Sequence, residues 1–160
     1  MKLPPTIEVV LAELLALGVS VPAGRIRVDG YGDTALLSQE LLELIRTGRK
    51  RAGTSLLWAA EVEDQALPEV GDIEIVVDHL NRPSIITRIV QVEVAPFCDV
   101  TAEYAAVEGE GDGSLEYWRR AHWSFFGREC IRILREPSEI MPVVCSIFEV
   151  LNVLPSATET

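Results

Sequence analysis

The sequence is poor in the residues that build disulfides and metal sites. Its three cysteines, Cys98, Cys130 and Cys145, are odd in number and widely spaced, and they form no CxxC pair. Its two histidines, His79 and His122, lie far apart in the chain. These absences argue against a disulfide framework and against a zinc or redox motif. We therefore expect free, buried thiols and no dedicated metal site.

The sequence also lacks a long apolar run and an export signal. No stretch approaches the ~20 apolar residues that a membrane-spanning helix needs. The first ten residues lack the basic head and apolar core of a signal peptide. The chain has 160 residues, of which 48% are hydrophobic and 24% charged, which is a globular composition. We expect a cytoplasmic protein with no membrane partner.

Positive charge is scarce but clustered. The chain has 14 Lys and Arg residues against 25 Asp and Glu residues, so its formal net charge is −11. This charge disfavours broad, non-specific binding of nucleic acid. Nine of the 14 basic residues nevertheless fall into two groups: Arg46, Arg49, Lys50 and Arg51, and then Arg119, Arg120, Arg128, Arg132 and Arg135. The clustering is compatible with a local basic groove.

Hydrophobic spacing predicts helices and strands in separate parts of the chain. Helical periodicity predicts helices over 6–17 and 114–127, a helix that ends near 47 and is capped by Asp33 or Thr34, and a short helix that ends at 107 and is capped by Asp99 or Thr101. Alternation and short apolar runs predict strands over 55–60, 73–78, 84–94 and 143–153, with a loop between the first two helices. Because the helices gather at the ends of the strand region, the pattern favours an α+β fold with an antiparallel or mixed barrel.

A run of cations follows the second predicted helix. Gly48 ends that helix, and Arg49, Lys50 and Arg51 come directly after it, followed by the hydroxyls of Thr54 and Ser55. Charged side chains, hydroxyls and free backbone N–H groups suit an anionic ligand. The order of elements is the reverse of a Walker A loop. The bland alternative is a solvated helix end, where cations offset the negative end of the helix dipole.

An acidic, glycine-rich loop over 108–113 precedes the last predicted helix. Its alternating carboxylates suit a divalent ion, although they do not match an EF-hand, and one of them could serve as a general acid or base. The alternative is helix capping by Asp112 and Ser114. His122 shares a helical face with Trp118 and Phe125, which is typical of a core histidine.

Several motifs, in one order and with compatible spacing, resemble the bacterial ASCH domain (ASC-1 homology domain) of the PUA-like group. They are Gly32-Asp33, Gly48-Arg49-Lys50, Pro68-Glu69-Val70-Gly71-Asp72, Pro96-Phe97-Cys98-Asp99, and Ala105 to Asp112 with Trp118 and His122. The resemblance implies an α+β fold with a small β-barrel, surrounding α-helices and a cleft between them. It places the ASCH domain at 31–154, after an N-terminal helix and loop extension at 1–30 and before a loose tail at 155–160.

The resemblance also suggests which residues carry chemistry. The family lysine falls on Lys50, and the family glutamate falls on Glu108. In an amidohydrolase branch the nucleophilic threonine stands three positions after the lysine, which here is Gly53, so Thr54 is one residue late. In a strand, a one-residue shift turns a side chain to the opposite face unless a bulge intervenes. In a ribonuclease branch a helical serine contributes, and Ser124 matches it by spacing.

Our leading hypothesis is an RNA- or nucleotide-binding ASCH domain with a basic cleft centred on Lys50. The alternatives are a hydrolase, using Lys50, Glu108, and Thr54 or Ser124, and a protein-interaction module. The hydrolase would be a magnesium-dependent ribonuclease or an enzyme that removes acyl groups from cytidine nucleosides, and only the ribonuclease implies magnesium. The expected partner is single-stranded RNA or a nucleotide-like small molecule. Further ligand contacts are expected from Arg49, Arg51, Ser55, Trp58, Tyr104, Glu110 and Asp112.

Overall fold

The computed structural model describes residues 5–155 and has the predicted α+β class. The helices are α1 (Ile7–Ala16), α2 (Ala35–Arg46), α3 (Leu57–Val62), α4 (Ala102–Glu108) and α5 (Leu115–Arg132). The strands are β1 (Ile26–Gly30), β2 (Ala52–Leu56), β3 (Ile73–Val77), β4 (Pro83–Pro96) and β5 (Pro142–Val153). None of the helices within 5–155 is long and apolar enough to cross a bilayer. The predicted tail beyond Pro155 lies outside the described residues.

Two predictions about strands are wrong: where one strand ends, and whether the segment before α2 is a loop. The strand predicted over 55–60 ends at Leu56, and α3 begins at the next residue. Leu56 pairs with Val143, near the start of β5, so the chain has no strand partner beyond that point. The predicted loop before α2 contains β1, which pairs in parallel with β3. Ile26 and Val28 do alternate with Arg27 and Asp29, a strand signal that the loop prediction did not use.

Helix α5 and Cys98 also differ from the predictions. Gly127 does not end α5, which continues to Arg132. Phe126 and Cys130 are both buried and extend the packed face of the helix, which outweighs the cost of about 1 kcal/mol for an internal glycine. Cys130 and Cys145 are buried free thiols as expected, but Cys98 is exposed in a short 3-10 turn after β4.

The described residues form two compact units, and the strand order of the sheet is β1-β3-β4-β5-β2. The first unit is made from the described parts of Met1–Gly48, Val70–Val90 and Phe148–Thr160. In it, β3 pairs in parallel with β1 and antiparallel with β4. One hydrophobic cluster of this unit includes Val10 and Leu14 of α1, and another includes Leu42 and Ile45 of α2.

The first unit also contains a hydrogen-bonded pair of carboxyl groups, Asp29 and Glu74. Burial raises the pKa of Asp29, and burial together with the neighbouring Asp29 raises the pKa of Glu74 to about 8. Glu74 stands opposite Arg27 in the β1–β3 register, and the charge of Arg27 opposes the shift. Burial therefore favours the protonated form of both carboxyl groups.

The second unit is made from Arg49–Glu69 and Gln91–Ile147, and it contains every candidate site residue named above. Strand β2 pairs antiparallel with β5, and α4 and α5 contribute to the core below them. The buried core of this unit consists of Leu56, Ala59, Phe97, Val100, Ala105, Trp118, Phe126, Cys130, Met141, Val143 and Cys145. This packing sets the positions of β2, α4 and α5, from which the site is built.

Candidate functional site

The cationic segment enters β2 with Lys50 turned inward. Arg49 and Arg51 are exposed, whereas the Lys50 side chain is only 1% exposed. The backbone N–H of Arg51 donates to the carbonyl oxygen of Val107 at 2.9 Å. This bond fastens the segment to the last turn of α4 and places Lys50 beside Glu108.

Helix α4 ends where the chain must pass close to that segment. Thr101 caps its first turn by accepting from the N–H of Tyr104 at 3.1 Å. Gly109 ends it with a left-handed φ of +68°. A Cβ at Gly109 would overlap the carbonyl oxygen of Arg49, so the close approach requires glycine. Glu108, the last helical residue, is thereby held against Lys50.

Glu108 is 2% exposed and accepts from four side chains. Its Oε1 lies 3.4 Å from Lys50 Nζ and 2.8 Å from His122 Nε2. Its Oε2 accepts from Thr54 Oγ1 at 2.8 Å and from Trp118 Nε1 at 2.6 Å. Burial acts to raise the pKa of Glu108, but Lys50, His122 and these hydrogen bonds outweigh burial and lower it to about 2. Glu108 is therefore a buried carboxylate.

The ammonium of Lys50 is enclosed by acceptors. It donates to the carbonyl oxygen of Ala52 at 2.7 Å and to Glu108 at 3.4 Å, and it lies 3.2 Å from Glu110 Oε1. Two of these contacts are hydrogen bonds and the third is an ion pair, so the charge of Lys50 is directed at protein acceptors. Lys50 is thus a structural cation beneath the surface, and in this arrangement it is not presented to an anionic ligand.

His122 is the second basic side chain of the site. Its Nδ1 lies 2.9 Å from the carbonyl oxygen of Trp118, and its Nε2 lies 2.8 Å from Glu108. Both partners are hydrogen-bond acceptors, which favours the imidazolium form, in which both ring nitrogens carry protons. Burial acts to lower the pKa of His122, but the charge of Glu108 and its hydrogen bond to the ring outweigh burial. The pKa of His122 is therefore raised. Lys50 and a protonated His122 would thus offset the charges of Glu108 and Glu110.

Thr54 brings a hydroxyl to this group from β2. Its Oγ1 donates to Glu108 and lies 3.0 Å from the hydroxyl of Tyr104, which donates to the carbonyl oxygen of Gly53 at 2.8 Å. Cys145 stands opposite Thr54 in the β2–β5 register, and burial raises the pKa of its thiol to about 12. The thiol therefore stays protonated, and of these two side chains it is Thr54 whose hydroxyl donates to a carboxylate. We call the set Lys50, Thr54, Glu108, Glu110, Trp118 and His122 the Glu108 cluster.

The domain model for the ASCH domain matches residues 28–152. The chain belongs to the ASCH domain family. An ASCH domain from Lactobacillus crispatus JV V101 is 31% identical, with a TM-score of 0.78, and the match covers 89% of this chain and 92% of that one. Protein EF3133 from Enterococcus faecalis V583 is 28% identical, with a TM-score of 0.76, and the match covers 92% of this chain and 88% of that one. No curated protein sequence matches the chain.

These matches confirm the ASCH, PUA-like fold expected from the motifs. The motifs left open whether Thr54, which stands one residue later than the family threonine, reaches the site. In this ASCH domain the Thr54 side chain does reach Glu108, although Gly53 occupies the position three residues after Lys50. The pairing of β2 with β5 is continuous from Ala52 to Leu56, so no bulge is needed to bring Thr54 there.

Three of the predicted site residues lie outside the cluster of the ASCH domain. Ser55 is exposed on β2, next to Thr54 and therefore on the other face of the strand. Ser124 is exposed on α5, where its hydroxyl accepts from Arg128 at 2.9 Å. Asp112 is exposed and accepts from the N–H of Ser114 at 2.9 Å. Asp112 thus performs the turn and capping role that was its alternative interpretation.

Two aromatic residues that were predicted to stack on a ligand have protein partners. Trp58 packs against the core of the second unit, and the guanidinium of Arg135 lies 3.6 Å from its ring centroid. Tyr104 is half-buried and uses its hydroxyl at Thr54 and Gly53. Burial raises the pKa of Tyr104, so its hydroxyl remains a donor at any physiological pH.

The ASCH domain offers one group of potential metal ligands among its described residues. Atoms of Glu108, Glu110 and His122 lie within 4.8 Å of one another. The ammonium of Lys50 already contacts both carboxylates, and His122 Nε2 bears the proton that it donates to Glu108. A divalent ion would require His122 to lose this proton and Lys50 to leave. The donor set therefore does not fit a resident metal.

Two residues of the Glu108 cluster, Trp118 and His122, were not among the predicted site residues. They are spaced four residues apart on α5 and were interpreted as core residues. Both are buried, and the rings stack with centroids 4.2 Å apart. Each also directs a polar hydrogen at Glu108. The signal that could have found them is a tryptophan and a histidine on one helical face shortly after an acidic motif.

Proposed function

We propose that this ASCH domain binds a nucleotide, free or within single-stranded RNA, at the exposed edge of the Glu108 cluster. Arg49 and Arg51 are exposed on either side of the buried Lys50, and this observation carries the proposal. Arginine recognises phosphate well, because its planar fork donates two hydrogen bonds at once. Phosphate binding thus falls to Arg51 and to Arg49, whose guanidinium also donates to the carbonyl oxygen of Gly111, while Lys50 supports the site from beneath.

Groups suited to the rest of a nucleotide lie beside these arginines. Thr54 and Tyr104 are half-buried, and Glu110 is 16% exposed, so each presents part of a polar side chain to solvent. Hydroxyls and carboxylates of this kind pair with ribose hydroxyls and base edges. The Glu108 cluster holds them rigidly, which limits the entropy lost on binding.

Substitution of Arg51 by alanine is expected to weaken RNA binding by roughly tenfold at low salt. The slope of log affinity against log salt should fall by about 1, since one phosphate contact is lost. Fluorescence anisotropy with labelled single-stranded RNA and with a labelled mononucleotide measures both quantities. Arg128→Ala, which removes an exposed arginine of α5, is the matched control. It should change neither the affinity nor the salt slope. Equal effects of the two substitutions would refute the site.

A second function, hydrolysis of an acyl group from a nucleoside amide, is favoured by one contact. Thr54 Oγ1 donates to Glu108 Oε2 at 2.8 Å, which is the geometry of a nucleophile beside a proton acceptor. The hydroxyl oxygen would attack the acyl carbon, and the hydroxyl proton would pass through Glu108 to the leaving nitrogen. Water would then hydrolyse the Thr54 ester and release the acid.

Chromatography of an N4-acylated cytidine after incubation with the protein tests this reaction. We expect release of cytidine that is insensitive to a metal chelator, is abolished in Thr54→Val and is partly retained in Thr54→Ser. Unchanged turnover in Thr54→Val would exclude Thr54 as the nucleophile. RNA that is cut only when magnesium is added would instead favour the ribonuclease alternative.

A further inference from the structure

A second surface on α5 has the chemistry of a nucleotide site. A groove of about 670 Å³ lies between the first half of α5 and the residues around Phe97 and Glu139. Its apolar wall includes Leu115 and Trp123, and its polar rim carries Arg119 and Arg120. No residue of this groove belongs to the Glu108 cluster.

Trp123 presents an exposed aromatic surface that is held in place from behind. Its side chain is 39% exposed, although tryptophan side chains are on average highly buried. Phe97, which is 4% exposed, packs between Trp123 and Trp118, with ring centroids 5.6 Å and 5.3 Å away respectively. A supported aromatic ring of this kind is a stacking platform for a nucleobase, because every base has a π-face.

The two arginines beside this ring are available for an anion. Arg119 and Arg120 are exposed, and neither forms a salt bridge with any residue in the described range 5–155. The guanidinium of Arg120 lies 5.9 Å from the ring centroid of Tyr117. In a chain of net charge −11, two adjacent cations that form no salt bridge within residues 5–155 mark a local site of attraction for phosphate, and the charge of Arg120 also acts on the exposed Asp112.

The groove adjoins the Glu108 cluster through helix geometry. Arg119 and Trp123 follow Trp118 and His122 by one residue each, so they lie about 100° further around α5. One side of the helix therefore serves the cluster, and the neighbouring side serves the groove. A single strand that passes from one side of α5 to the next meets both.

We propose that the α5 groove binds a second nucleotide of the same single-stranded RNA. The base stacks on Trp123, the phosphate contacts Arg119 and Arg120, and carboxylates of Glu116 and Glu139 accept from an exocyclic amino group. The groove thus favours cytosine, adenine or guanine over uracil, which has no such amino group. This inference rests on the proposed RNA binding at the Glu108 cluster.

The three tryptophans of the chain make the two sites separately visible. The indole N–H of Trp118 reports the Glu108 cluster, that of Trp123 reports the groove, and that of Trp58, beneath Arg135, is an internal control. The full chain is labelled with ¹⁵N-tryptophan, and each indole signal is assigned by a Trp→Phe variant. It is then titrated with cytidine monophosphate, an octamer of cytidines and an octamer of uridines.

With the cytidine octamer, we expect the Trp118 and Trp123 signals to move together and saturate at one concentration, while Trp58 stays in place. The uridine octamer should move Trp123 less. Movement of Trp118 without Trp123 would overturn the groove and leave the proposed function standing. Movement of Trp123 alone would support the groove and overturn binding at the cluster. If neither signal moves, or if Trp58 moves as much as Trp123, the groove proposal fails.

Affinity measurements on variants provide a second test. Arg119→Gln changes an exposed side chain that forms no salt bridge within residues 5–155, so the fold is retained. We expect it, and Trp123→Ala, to weaken the cytidine octamer roughly tenfold, as loss of a stacked aromatic residue or a phosphate contact does. Binding of cytidine monophosphate at the cluster should be unaffected. Octamer binding that is unchanged in both variants would overturn the groove.

Discussion

Gly109→Ala is expected to destabilise the domain by about 3 kcal/mol or more. Two costs combine at this residue. The φ of +68° is strained for any residue with a Cβ, and the added methyl group would overlap the carbonyl oxygen of Arg49 and lie 2.9 Å from its carbonyl carbon. These are backbone atoms and cannot rotate away. Relief of the clash would separate α4 from the segment that carries Lys50.

Gly113→Ala is the matched control for this prediction. Gly113 also has a left-handed φ, of +77°, but a Cβ there would meet no atom within 4 Å. Only the conformational strain applies, so a loss of about 1 kcal/mol is expected. Urea unfolding of both variants measures the difference. Losses of equal size would show that the contact between Gly109 and Arg49 does not hold the site together.

Glu108→Gln should also cost the domain about 3 kcal/mol in the free energy of unfolding. The substitution keeps the shape of the side chain but removes its negative charge. Lys50 and His122 would then lie in the core with only Glu110 to balance them, and an uncompensated buried charge is strongly destabilising. Glu103→Gln, in the exposed first turn of α4, should change stability by less than about 0.5 kcal/mol.

The same substitution should flatten the pH dependence of stability. The pKa of Glu108 is lowered from 4.5 to about 2, so its contribution is present above pH 4.5 and is lost as pH falls towards 2. The pKa of His122 is raised above 6.5, so its contribution is complete below that value and is lost as pH rises through the folded pKa. Melting temperatures measured between pH 3 and pH 9 report the contributions of Glu108 and of His122 to stability. A Glu108→Gln variant with the wild-type profile would contradict this account.

The sequence by itself determined the fold class, the family and most of the elements. Helices α2, α4 and α5 begin next to Thr34, Thr101 and Ser114, because a hydroxyl that accepts from an N–H of the first turn is a local device. The alternation of apolar and polar residues that predicts β4 is also a pattern among neighbouring residues. The motif order also singled out Lys50 and Glu108 as site residues before any contact between them was known.

Only the tertiary structure decided what those residues do. Whether Lys50 faces solvent or a carboxylate depends on Glu108, which lies 58 residues further along the chain. The roles of Trp118 and His122 depend likewise on where α5 packs, since periodicity shows which face of a helix is buried but not what it meets. Long-range pairing also decided that Ile26–Gly30 is a strand and that β2 stops at Leu56. Local sequence does not show which distant residues will be in contact, and the site consists of such long-range contacts.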